Sequence, residues 1–198
     1  KKYSTDDSAP RQAGALWGLS LLYAYAGEKN AVKNLKEACQ KGIGYFDERS
    51  RTTSGGGRYP VYKGDGDASD GPNGGTGTAA LVTLGIADYV RALSPGEERT
   101  KLDAKLNEYL KFIASLNRDD GLFSGDYKYD TGEPTGKPSP YSDGEALLSS
   151  IRDAAAAAAE AVAGSKTEVK GGISRAPLER TDASALLLFT AATTFHHQ

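Results

Sequence analysis

The sequence predicts an all-α fold in which inner, largely buried helices alternate with amphipathic outer ones. Three observations lead there. Four segments resemble one another, and each carries an Ala-Leu pair at the same place: Ala15-Leu16, Ala80-Leu81, Ala146-Leu147 and Ala185-Leu186. Self-similarity of this kind bears directly on fold class. The segments between them have apolar residues at helical spacing with charges interleaved. Two long loops rich in Gly, Pro and Asp each lead into the start of an inner helix.

The elements follow in order along a single expected domain, residues 1–198. The first inner helix is expected near 10–26, from Arg11-Gln12-Ala13-Gly14 onward. It is poor in charge on every face, the pattern of a buried helix. Residues 30–48 read as an outer helix, with Val32, Leu35, Ala38 and Cys39 on one stripe and lysines between. Residues 49–75 form a loop containing Gly55-Gly56-Gly57 and the run Asp65 to Asn73. The second inner helix is expected near 77–93 and a second outer helix over 98–117, with Leu102, Leu106, Tyr109, Leu110 and Ile113 on its apolar face. Residues 118–141 are again loop, from Asp119-Asp120-Gly121 to Pro138-Ser139-Pro140. The third inner helix is expected near 143–160, where Asp153 precedes six alanines, a strong helix former. The fourth is expected near 181–195. Strand signals are confined to Tyr59–Tyr62 and Phe123–Tyr129, which suit short ribbons.

Composition excludes several classes of function. There are 24 Lys+Arg against 26 Asp+Glu, for a net charge of −2, so no basic footprint for nucleic acid or an anionic membrane is present. No run approaches the ~18 apolar residues of a membrane-spanning helix. Cys39 is the single cysteine, which excludes an internal disulfide and a cysteine zinc cluster. The chain starts at Lys1 and has no Met, so a processed or partial chain is expected. The compartment stays open; a soluble chain is expected, and removal of a targeting segment would suit a secreted or lumenal one. Neither metal nor cofactor is expected. The adjacent His196-His197 do not face the same way on a helix.

The loops carry a resemblance. Arg11-Gln12-Ala13-Gly14, Gly74-Gly75-Thr76-Gly77-Thr78, Asp119-Asp120-Gly121-Leu122-Phe123 and Pro138 to Glu145 resemble the six-hairpin glycosidase and sugar-epimerase type of α/α toroid. The likeness lies in an Asp-Gly-aromatic loop followed by Ser-Asp-Gly-Glu before an inner helix, and it spans roughly residues 8–195. It implies a toroid of alternating helices, incomplete here because four inner helices stand where a closed ring has six. It also implies a carbohydrate-active protein, a hydrolase, lyase or epimerase, with its funnel at the starts of the inner helices.

Helix starts bring unpaired N–H groups and a positive partial charge. The residues expected there are Arg11, Gln12, Asn73, Thr76, Tyr141, Asp143, Glu145, Arg180 and Asp182. Glycoside hydrolysis needs two carboxyl groups of separated pKa. Asp143, Glu145 and Asp182 are therefore the candidate catalytic residues, although Asp143 and Asp182 are equally suited to capping their helices. Arg11, Gln12, Asn73, Tyr141 and Arg180 are the candidate substrate-binding residues. Arginines clamp a carboxylate, or else pair internally with Asp143 or Asp182. Asp65, Asp67 and Asp70 alternate as in a calcium loop but lack its distal Glu, and read equally as a solvated turn. Trp17 reads as core. The alternative to an enzyme is a non-catalytic glycan-binding or assembly module. An open helix array predicts association with another chain or oligomerisation.

Overall fold

The computed structural model describes residues 8–26, 32–61 and 71–150, all within the compact unit Lys1–Asp153. Among the described residues, five helices are joined by two antiparallel ribbons. Helix α1 spans Ala9–Ala26, α2 Leu35–Glu48, α3 Thr76–Ala92 and α4 Glu97–Ser115. Helix α5 is described over residues 140–150. Strand β1 (Ser50–Thr52) pairs with β2 (Arg58–Pro60), with Arg51 opposite Tyr59. Strand β3 (Asn73–Gly75) pairs with β4 (Asp126–Lys128), with Gly74 opposite Tyr127.

The all-α expectation is corrected by these ribbons. Each strand has three residues, too few for an alternating pattern to stand out in the sequence. Their anchor is aromatic burial: Tyr59 and Tyr127 are each 1% exposed. The toroid is corrected as well, because no toroid repeat is evident among the described residues. The Ala-Leu segments that suggested one lie in unlike surroundings. Helix α3 is buried on nearly every face from Thr76 to Val90. Helix α1 buries only Ala13, Leu16, Ser20 and Tyr23, while Leu22 and Tyr25 are 45% and 87% exposed. Likeness in sequence here reflects two apolar helices, not two equivalent units.

Helices α1 and α3 pack in close contact. Leu16 lies against Gly85, and a Cβ on that glycine would stand 2.9 Å from Leu16 Cγ. Further along both helices, Tyr23 and Tyr89 pack with ring centroids 5.0 Å apart. Trp17 is half-buried between them and donates its Nε1–H to Asp88 Oδ2 at 2.9 Å. Helices α2 and α4 flank this pair and complete one core with Leu35, Cys39, Phe46, Leu106 and Tyr109. Cys39 is fully buried on α2, and burial pushes its thiol up, away from nucleophilic use.

A second core lies under the ribbons. Tyr59 stacks on Phe112 at 5.1 Å, and Phe112 meets Tyr127 edge to face at 4.8 Å. The Tyr127 hydroxyl donates to the Pro60 carbonyl at 2.8 Å, which ties the two ribbons together. Ala79, Ala80, Leu116, Phe123 and Ala146 complete the cluster. It therefore roots the start of α3, the end of α4 and the start of α5 in one place. No described helix is long and apolar enough to cross a membrane.

Candidate functional site

Helix α3 starts without a side-chain cap; Gly75 occupies that position. The loop after α4 does the capping instead. Thr76 donates its backbone N–H to Gly125 O at 2.9 Å and its hydroxyl to Ser124 O at 2.5 Å. Helix α5 is capped by Ser139, whose Oγ accepts the Ser142 amide at 3.4 Å. Pro140 follows at the first helical position, where its missing N–H is no loss.

Asp143 does not cap its own helix. Its Oδ1 accepts the Phe123 amide at 2.8 Å, reaching across to the loop. Glu145 behaves differently. Its carboxyl lies over the first turn of α3, where a Cβ on Gly77 would collide with Oε2 and stand 3.3 Å from Cδ. It is half-buried and makes no hydrogen bond or ion pair among the described residues. Burial alone pushes it above the usual carboxylate range. A half-buried carboxyl set over a helix start is a candidate for general acid–base work.

The other sequence-derived candidates are placed as follows. Tyr141 stands one turn before Glu145 on α5 and is 88% exposed. Asn73 opens β3, half-buried opposite Lys128. Arg11 and Gln12 are exposed on the first turn of α1. Arg180, Asp182 and the helix expected over 181–195 lie outside the described residues, as do Asp65, Asp67, Asp70 and residues 151–160 of the third expected inner helix. No group of three or more His, Cys, Asp or Glu suited to a metal ion occurs among the described residues.

Two contributors escaped the sequence reading. Gly77 acts as a cradle for Glu145, and a glycine in a helical turn is a legible hint of close approach. The carbonyls of Ser124 and Gly125 cap α3, which no side-chain pattern reveals. A groove of about 390 Å³ lies elsewhere, between α2 and α4, lined by Gln40, Ile43, Glu98, Leu102 and Lys105. Its charges are already engaged: Lys105 pairs with Asp47, and Glu98 with Gln40, Tyr89 and Lys36.

No protein-family model matches the chain, and no curated protein matches it.

Proposed function

We propose that the end of the molecule where α3 and α5 begin is a carbohydrate site, and that Glu145 is its general acid–base group. The observation that carries this reading is the Glu145 carboxyl, half-buried over Gly77, without a hydrogen-bond or ion-pair partner among the described residues, and raised by desolvation. The substrate class comes from the resemblance of the loop motifs to those of carbohydrate-active proteins. In this reading the protonated carboxyl donates to the leaving oxygen of a glycosidic bond. Tyr141 offers an exposed aromatic face for a sugar ring. Arg11, Gln12 and Asn73 supply donors for hydroxyls or a uronate. Asp143 Oδ1 already accepts the Phe123 amide, which leaves only its other oxygen for the role of second carboxylate.

That same engagement favours a second reading, a glycan-binding module without turnover. Glu145→Gln separates the two. The experiment measures product release from a panel of neutral and uronate-containing oligosaccharides, together with their binding by calorimetry. The enzyme reading expects turnover to fall by about 10²-fold or more while binding persists. A wild-type protein that binds a glycan without cleaving or isomerising it establishes the module. A protein that neither binds nor turns over any of the panel refutes both.

A further inference from the structure

The segment Phe123–Gly125 is bonded to both helix starts at once. On the α3 side it accepts two hydrogen bonds from Thr76, at Ser124 O (2.5 Å) and Gly125 O (2.9 Å). On the α5 side the Phe123 amide donates to Asp143 Oδ1 at 2.8 Å. The Gly125 amide donates to Lys137 O at 2.6 Å, just before the helix begins. A Cβ on Gly125 would stand 2.5 Å from Ser139 Cβ, so this strap lies directly against the residue that caps α5. The Phe123 ring is buried in the cluster that also holds Ala80 of α3 and Ala146 of α5.

Asp143 and Glu145 are two residues apart, which is about 200° around a helix. Their side chains therefore face different neighbours: Asp143 the strap, Glu145 the first turn of α3. A bond that fixes one direction fixes the other, because α5 turns as a rigid rod. We propose that Asp143 is a positioning residue: by holding the Phe123 amide it sets the rotation of α5 and keeps the Glu145 carboxyl against Gly77. The inference rests on the proposed function only for what the placed carboxyl then does.

The test is a contact measurement in the substrate-free chain. Wild type should show a nuclear Overhauser effect between the Glu145 Hγ and Gly77 Hα protons. Asp143→Asn keeps an acceptor oxygen and should retain that contact. Asp143→Ala removes the acceptor and should lose it, with the amide spectrum otherwise that of a folded chain. If turnover is found, it should fall about tenfold or more in Asp143→Ala and much less in Asp143→Asn. A folded Asp143→Ala that keeps the contact overturns the proposal. So does an Asp143→Asn that loses it, since the charge and not the acceptor would then matter. Should Asp143→Ala fail to fold, Asp143→Leu removes the acceptor while keeping side-chain volume. An undiminished Glu145–Gly77 contact in that variant overturns the proposal too. Loss of carbohydrate activity as the reading for this site leaves the contact pattern untouched, so the two failures are distinguishable.

Discussion

Gly77→Ala puts the central geometric observation at risk. The new methyl would occupy space now held by Oε2 of Glu145, with Cδ 3.3 Å and Oε1 3.8 Å away. All three of the nearest atoms belong to the far end of one flexible side chain, and none is backbone. The clash is therefore relieved by swinging Glu145 outward. Settling in a less favoured rotamer costs at most about 0.5–1.5 kcal/mol. Against this, Ala in a helical turn gains about 0.5–1 kcal/mol over Gly. The carboxyl also recovers the water it lost on burial, which adds to the gain at neutral pH. The expected result is a chain of unchanged stability, or up to about 1 kcal/mol more stable. Urea unfolding with linear extrapolation measures it. A side-chain carbon titration of Glu145 supplies the second readout, with its midpoint falling back toward the ordinary 4.5. Destabilisation beyond about 2 kcal/mol would refute the reasoning, because it would mean that Glu145 cannot leave its place. An unchanged midpoint would refute it equally.

Two further outcomes follow from the same region. Glu145 takes up a proton more readily in the folded chain than in the unfolded one, so its ionisation opposes folding. The penalty is absent below the ordinary value of 4.5, grows as pH rises through the raised folded value, and stays in full above it. Glu145→Gln should therefore gain stability over wild type across that window and hold the gain to pH 7; thermal melts at several pH values that show a pH-independent difference would contradict this. Gly74→Ala should behave in the opposite way from Gly77→Ala. Its Cβ would stand 2.5 Å from Cζ and 2.6 Å from Cε2 of Tyr127, a ring held by Phe112, Tyr59 and the Pro60 carbonyl, with no room to retreat. Overpacking of this kind costs about 1–3 kcal/mol in urea unfolding, and a loss under about 0.5 kcal/mol would show the ring to be loosely held.

The contrast between these two glycines explains what a reader of the sequence can and cannot see. The run from Thr76 to Ala92 announces a helix because its residues are small or apolar from Thr76 to Ala87, with charge only at Asp88 and Arg91. That α1 would bury one face only is not legible, since Leu22 and Tyr25 are apolar whether or not anything covers them. Of the ribbons only half is legible: Tyr59–Tyr62 and Phe123–Tyr129 suit strands and meet β2 and β4, whereas β1 and β3 carry no period in three residues and β3 depends on a partner far along the chain, as Gly74 does on Tyr127. Glu145 can be singled out as a carboxyl near a helix start. Its environment cannot, because Gly77 lies in another helix and burial is a property of the packed fold. Asp143 is the sharper case. Its position next to a helix start suits a cap, and only the fold shows that Ser139 does that work while Asp143 holds an amide 20 positions back along the chain.

Two local penalties meet at a single point in this molecule. A glycine in a helical turn gives away about 0.5–1 kcal/mol relative to alanine. A carboxyl taken partly out of water, with no partner among the described residues, is unfavourable in its charged form. Each would be removed by one substitution, Gly77→Ala or Glu145→Gln. Their coincidence is geometric as well: without a bare Cα at Gly77, Glu145 has no place to lie. Around them the structure is over-determined, with Thr76, Asp143, Gly125 and Ser139 all holding the strap that joins the two helix starts. Folds that breach local rules do so chiefly at functional or strained sites, where the surroundings hold the breach in place. A destabilising pair inside a rigid frame is the arrangement the proposed function expects of a carboxyl kept for proton transfer rather than for folding, and on that proposal Glu145 is the better candidate than Asp143 to meet a substrate.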